Sequence, residues 1–463
     1  MPVPATVLDQ PIQWSDPSLW PLLNDLQGNI LKGHGRDHTM NHFLRFGPGD
    51  LAAAKVIVRA LGARTTSALR QLQEVEDFKL FERPGGTGVF FFLTRTGFQR
   101  LGLQPPAGAA FAGGMASRQL GDPATAAWEA HLRPGIDAML LVADDSVTKV
   151  GNAAAALTRG FAAAGIQVVG VDAGHALRSD PSVNEPKGRG IEHFGYVDGR
   201  SQPLMLSQDV AREQNESDGI DVWDPRVGPG KSVLVRDPNG KSDDSYGSFL
   251  VYRKLEQNVA GFKHRENALA DALSLVGEDR ERAGAMVVGR FEDGTPLILE
   301  SEAKDPNPTP NNFDYASDAP GDRCPIHAHI RKINPRTPND AEQRTHLMAR
   351  RGIPFGDPDR DLEDEASFPT GGVGLLFMAY NQDIERQFEV TQRFWANDDA
   401  FPGDAQGRDA IIGQPVGGGA DSKWPTGKPA PNDRVTFGFR DFVTMKGGEY
   451  FFAPSRSALI GLT

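Results

Sequence analysis

Two histidines, His327 and His329, stand two positions apart in the run CPIHAHIRKINPR (324–336), with Arg331 and Lys332 close behind. Imidazole nitrogen is a ready ligand for zinc, non-haem iron and haem iron. Cations beside it suit anionic groups such as the carboxylates of a porphyrin. The same run also reads as a basic surface loop with solvated histidines. A second segment, HFGYVDGRSQP (193–203), sets Asp198 between Val197 and Gly199, with Gly195 three positions before it. Glycines around one acid make a tight backbone that can aim a carboxylate. An ordinary Asp-Gly turn is the plainer reading. A third segment, HLMARRGIPFG (346–356), puts Arg350 and Arg351 ahead of Gly352 and Pro354. Its backbone reads as a helix C-terminus, with arginines near the last carbonyls and glycine beyond them. One guanidinium remains free to point inward.

The elements that must position these residues follow from patterning. Strand-like runs occur at 40–46, 88–95, 139–142 and 166–171, and helical spacing at 50–72, 96–103 and 146–164. That order is the order of a ferredoxin-like unit with an antiparallel sheet. A loop-rich segment follows at 206–246, and the pattern then recurs. The second set is a strand at 247–255, a helix at 259–273, a strand at 374–380, a helix at 384–395 and a strand at 449–453. The expected class is α+β: two ferredoxin-like sub-domains, 1–205 and 206–463. The long irregular stretch 293–368 carries two of the three segments above, and loops of that length are commonly functional.

Composition removes several classes. The chain of 463 residues has 61 acidic against 49 basic side chains, a net charge of −12, which argues against nucleic acid as a partner. The one cysteine, Cys324, excludes an internal disulfide framework, iron–sulfur ligation and cysteine-rich zinc sites. No apolar run approaches a membrane-spanning length. The start, MPVPATVLDQPIQWSDPSLW, lacks a basic stretch followed by an apolar one, so no signal peptide is read and a cytoplasmic location is expected, with export by another route left open. A homodimer is the default expectation for assembly.

Five segments occur in one order: DLQGNILKGHGR (25–36), GYVDG (195–199), AHIRKINPR (328–336), RRGIPFG (350–356) and GLLF (374–377). Together they resemble the dye-decolorizing peroxidases, a haem-peroxidase family, and the chain's length and long loops are similar to its larger, fungal-like members. The resemblance implies haem b in the C-terminal sub-domain, ligated through iron by His329 rather than His327. It implies Asp198 as distal acid–base, Arg350 rather than Arg351 as distal cation, and Leu375 and Phe377 as lining of the distal pocket. Glu389, preferred over Glu385, is the implied acid partner of the ligand, and Arg331 the implied partner of a haem propionate. The implied reaction reduces hydrogen peroxide through a ferryl intermediate and oxidises bulky aromatic or dye-like donors. Breaking the O–O bond needs a base that moves a proton between the oxygens, a fixed cation and electron density from the proximal side. A carboxylate base, with an ordinary pKa of about 3.9, points to best activity in acid. Trp395, Tyr380 and Tyr196 lie in or beside the motifs as relay candidates, and the sequence does not choose among them. Two other readings stand beside this one. The first is a zinc or non-haem iron protein using His327, His329 and an acid such as Asp322. The second is a haem-handling protein with incidental peroxidase activity, against which the pair Asp198 and Arg350 speaks.

Overall fold

GVFFFL and AMLLVAD are apolar along almost their whole length because the strands they form, Gly88–Leu93 and Ala138–Asp144, are covered on both faces. The computed structural model describes residues 3–49, 51–337, 341–356, 365–403, 407–414, 421–426 and 433–463. The first unit contains β1 (His38–Phe46), β2 (Gly88–Leu93), β3 (Ala138–Asp144) and β4 (Ile166–His175). Helices α1 (Ala52–Arg64) and α2 (Ala68–Phe81) separate β1 from β2, and α3 (Val147–Thr158) separates β3 from β4. The antiparallel order is β4-β1-β3-β2, the ferredoxin-like order.

The second unit repeats that order. Its strands are β5 (Tyr246–Gln257), β6 (Ala349–Arg350), β7 (Ile353–Phe355), β8 (Gly374–Asn381) and β9 (Val443–Ala453). They line up as β9-β5-β8-β7, with β6 also paired to β8. Helix α4 (Val259–Ala272) follows β5, then come α5 (Glu281–Val288) and the short α6 (His329–Ile333). Strand β9 joins β2 through Phe452 and Leu93, which fuses both units into one sheet. The two outer strands of that sheet, β4 and β7, approach each other. A Cβ at Gly174 would lie 2.5 Å from Ile353 Cγ2 and 3.2 Å from the Pro354 carbonyl. The sheet therefore curls back on itself. Phe43, Phe90, Phe92, Leu141, Tyr252 and Met378 fill the inside, and the helices cover the outside.

Three expectations change. The helix read at 50–72 is two helices, because Ser67 caps the second by accepting from the Arg70 N–H at 3.2 Å and Thr65 leaves the helical region. RRGIPFG is not a helix end. It forms β6 and β7, strands of two and three residues that are too short to show a period in sequence. The last strand begins at Val443, and an irregularity between Met445 and Gly447 breaks its alternation. Among the described residues no helix is long and apolar enough to cross a membrane.

A buried ionic cluster ties the first unit to the second. Asp172 on β4 accepts from Tyr252 Oη at 2.6 Å and Lys254 Nζ at 2.9 Å, both on β5, and lies 3.1 Å from His131 Nε2. Lys254 also donates to Glu129 at 2.8 Å. Asp172→Ala leaves a buried ammonium and a buried phenol short of an acceptor. A loss of about 3 kcal/mol is expected, read as a lower urea midpoint at neutral pH. An unchanged midpoint would mean the cluster contributes no net stability.

Candidate active site

His329 opens α6, and the helix is fastened beneath it. Lys332 Nζ, one turn on, donates to the carbonyls of Asp398 (2.7 Å), Gly407 (2.9 Å) and Phe401. The same connection carries Asp409, which is fully buried and accepts from His329 Nδ1 at 2.8 Å. Its other oxygen accepts from the N–H groups of Ile411 and Ile412, both at 2.8 Å. Burial pushes the Asp409 carboxyl upward, but His329 and the two backbone N–H groups outweigh it and hold the pKa below the ordinary value. With its Nδ1 proton donated to this carboxylate, His329 keeps a lone pair on Nε2, and its side chain is 20% exposed. His327 differs in every respect. It is buried, its ring stands edge-on to Trp424 at 4.4 Å, and neither nitrogen has a hydrogen-bond partner among the described residues. Burial pushes it down to about 3, so it is a neutral core residue.

Asp198 lies on an exposed loop that is built rather than slack. Gly195 and Gly199 take positive φ values of 100° and 84°, which a side chain would strain. Glu192 gathers the loop: its carboxylate accepts from the N–H groups of Phe194 (2.8 Å) and Tyr196 (3.2 Å) and from the Gln257 amide. Asp198 itself is held by its N–H on the Gly190 carbonyl at 3.1 Å and by the Gly199 N–H on Oδ1 at 2.6 Å. Side chains on either side of it reach the other segments. His193 Nε2 donates to the Phe355 carbonyl at 2.7 Å, Gln202 Oε1 accepts from the Arg350 N–H at 3.1 Å, and Ser201 Oγ accepts from Arg336 at 2.9 Å.

The two adjacent arginines part ways. Arg351 donates to the carbonyls of Asn29 (2.8 Å), Arg350 (2.7 Å) and Ile30 (3.0 Å), so it is consumed in fixing β6 against the N-terminal segment. Arg350 is half-buried, and among the described residues its guanidinium makes no hydrogen bond or ion pair. Leu375 and Phe377 alternate on β8 with the buried Leu376 and Met378 and are themselves only half-buried. They therefore share the outer face of the sheet.

A profile described as Dyp-type peroxidase, C-terminal, matches residues 224–405. The multifunctional dye peroxidase DyP2 of Amycolatopsis sp. (strain ATCC 39116 / 75iv2) is 45% identical over 460 residues, covering 95% of this chain and 96% of that one. The dye-decolorizing peroxidase of Exidia glandulosa is 31% identical over 466 residues, 95% of this chain and 86% of its own. The DyP-type peroxidase AnaPX of Anabaena sp. superposes with a TM-score of 0.91 at 38% identity over the full length of both chains. The chain belongs to the dye-decolorizing peroxidase family. Members of that family are haem peroxidases, and the α+β architecture of two ferredoxin-like units is theirs.

Within the dye-peroxidase frame, two expected residues have other partners. Glu389 is not the acid of the imidazole; Asp409 is. Glu389 is 2% exposed, and Arg118 grips both its oxygens at 2.6 Å, while Tyr450 Oη donates to it at 3.0 Å. Glu385 bonds the same arginine at 2.7 Å. Asp409 escaped notice because it is 80 positions from His329, among several acids after the last motif. The one local signal was its place directly before the apolar Ala-Ile-Ile, which marks an acid drawn into the core. Arg331 is likewise spoken for. It is buried against Asp318 Oδ2 (3.0 Å) and the carbonyls of Cys324 (2.6 Å) and Asp318 (2.7 Å), bracing the turn before the histidines. Arg336, five positions on, is a buried guanidinium with neutral acceptors only: Asn311, Phe313 and Ser201. Burial lowers it to about 10.

Glu192 carries a pH dependence. Burial, with the Asp198 charge adding to it, pushes its pKa from 4.5 up to about 7 against the hydrogen bonds it accepts. A raised carboxylate favours the fold while it is protonated and costs stability as pH rises through the interval between the unfolded and folded values. The melting temperature of Glu192→Gln minus that of wild type should therefore grow more positive from about pH 4.5 to about pH 8. A constant difference across thermal melts would refute the raised value.

Proposed function

We propose that this chain binds haem b through His329 Nε2, reduces hydrogen peroxide on the opposite side of the porphyrin, and oxidises bulky aromatic or dye-like donors. The observation that carries the assignment is the His329–Asp409 hydrogen bond at 2.8 Å. It fixes the tautomer that offers Nε2 to a metal and adds the negative character that makes an imidazole a stronger donor. A porphyrin suits the donor set. His329 would be the imidazole that holds the group, and Arg336 offers a buried cation without a carboxylate partner, which would suit a propionate. When bound, haem iron supplies the redox couple that peroxide oxidises and the donor restores.

The chain's own residues do the rest. Asp198 takes the proton from the inner peroxide oxygen and returns it to the departing one, which a carboxylate on a glycine-flanked loop can do directly or through one water. The Arg350 guanidinium stabilises the negative charge that builds as the oxygens separate. Leu375 and Phe377 keep the pocket narrow and short of water, so bulky donors react from outside it. The zinc or non-haem iron reading loses its second histidine, since His327 is enclosed against Trp424.

Haem-loaded wild type should show a Soret band that shifts on adding peroxide, and His329→Ala should lose the band. A stoichiometric haem spectrum with full peroxide response in that variant would overturn the assignment. Arg350→Leu should slow the stopped-flow reaction with peroxide by about 10²-fold or more. Asp198→Asn should slow it by about 10²–10⁴-fold. A wild-type rate in either variant removes that residue from the mechanism.

A further inference from the structure

We propose that Tyr450 is a redox-active tyrosine of this peroxidase, giving one electron to the peroxide-oxidised haem centre while its phenolic proton passes to Glu389. The inference rests on the haem-peroxidase reading above. Tyr450 lies on β9 with 1% of its surface exposed, and its hydroxyl donates to Glu389 Oε1 at 3.0 Å. Glu389 sits in the π-wound stretch Glu385–Glu389, where it is buried together with Gln387 and Phe388. Arg118 holds both Glu389 oxygens and reaches on to Glu385, whose side chain is 45% exposed. Phenol, carboxylate, guanidinium and carboxylate thus form one chain from the core to the surface.

This arrangement is costly unless it serves a purpose, since a buried ion pair seldom gains net stability over apolar packing. Its chemistry matches one-electron oxidation. A phenol that loses an electron becomes a strong acid, so it can be oxidised in a buried place only where a base takes the proton in the same event. Glu389, gripped by Arg118 through both oxygens, is that base at hydrogen-bond distance. Without loss of the electron the proton stays. Burial, with the charge of Glu389 adding to it, raises the Tyr450 phenol well above its ordinary pKa.

The route to the pocket consists of packed rings. Phe377, on the β8 face it shares with Leu375, lies 6.2 Å from Phe388, and Phe388 lies 6.2 Å from Tyr450. Phenylalanine is harder to oxidise than tyrosine, so these rings are a tunnelling medium and Tyr450 is where the electron vacancy rests. Two other tyrosines donate to carboxylates but fit less well. Tyr252 bonds Asp172 from the inside of the curled sheet, the face opposite Phe377. Tyr196 bonds Glu266, but the Lys263 ammonium lies over its ring at 5.1 Å and opposes removal of an electron. The step balances. Tyr450 loses one electron and its O–H bond, Glu389 gains an O–H bond, and the haem centre is reduced by one electron. An external aromatic donor then returns the electron to Tyr450, and Glu389 returns the proton.

The test is electron paramagnetic resonance of the haem-loaded enzyme, frozen after one equivalent of hydrogen peroxide without donor, with ordinary and with ring-deuterated tyrosine. A tyrosyl signal that narrows on deuteration is expected in wild type. It should be lost in Tyr450→Phe, be weaker in Glu389→Gln, and persist in Tyr196→Phe and Tyr252→Phe, while the Soret band of every variant still responds to peroxide. An undiminished signal in Tyr450→Phe overturns the proposal. Should that variant fail to take up haem, wild type decides: a signal that deuterated tyrosine does not narrow also overturns it. A wild-type Soret band indifferent to peroxide would instead strike the peroxidase reading itself.

Discussion

The proposed chemistry depends on one hydrogen bond, the 2.8 Å contact between His329 Nδ1 and Asp409. A carboxylate with no exposed surface is unfavourable unless its oxygens are occupied, and Asp409 has the imidazole on one oxygen and two backbone N–H groups on the other. Charge-assisted bonds of this type are worth about 1.5–3 kcal/mol each. Lys332 adds the mechanical part. Its ammonium gathers three carbonyls from the segment that delivers Asp409, so the helix bearing the ligand and the loop bearing its acid move together. The orientation of the imidazole is thereby fixed by the chain itself.

The proposed distal residues come from elsewhere in the chain and are held by different means. Asp198 lies late in the first unit, Arg350 closes the short strand Ala349–Arg350 of the second, and both are placed by neighbours. His193 and Gln202 tie the aspartate loop to the Phe355 carbonyl and the Arg350 N–H, and Ser201 ties it to Arg336. The loop is pre-shaped by the Glu192 carboxylate and by two glycines at positive φ. The placement of these segments depends on the closure of two ferredoxin-like units into one curled sheet, because only that closure brings β4 beside β7.

Buried charge is used unevenly across the molecule. Arg331 and Arg351 spend their donors on carbonyls and an acid and hold backbone in place. Arg336 has neutral partners, and the Arg350 guanidinium has none among the described residues. Glu389 belongs to a third kind. It is buried, doubly gripped by Arg118 and bonded to a phenol on the outer face of the sheet. Its position beside Phe388 in a helix made it look like a partner for the nearby ligand. The π-wound backbone, with the Glu389 N–H on the Ile384 carbonyl, instead accompanies a side chain directed at Tyr450.

Short-range information decided much of this protein. Alternating and continuous apolar runs marked seven of the eight strands that define the two units, and the order of elements gave the fold class. The motif GYVDG nominated Asp198, AHIRKINPR nominated His329, and the spacing from His329 to RRGIPFG nominated Arg350. Each motif is itself a run of fewer than ten residues, where side-chain type and backbone preference are coupled locally. The acid of the imidazole, the roles of Arg331 and Glu389 and the strand pair at 349–355 were not legible. A buried carboxylate can satisfy any imidazole the fold brings to it, and a two-residue strand is defined by its partner rather than by its own pattern. Motifs could nominate the residues for the chemistry; only the packed chain, through contacts 80 and more positions apart, determined which charged groups are paired with which.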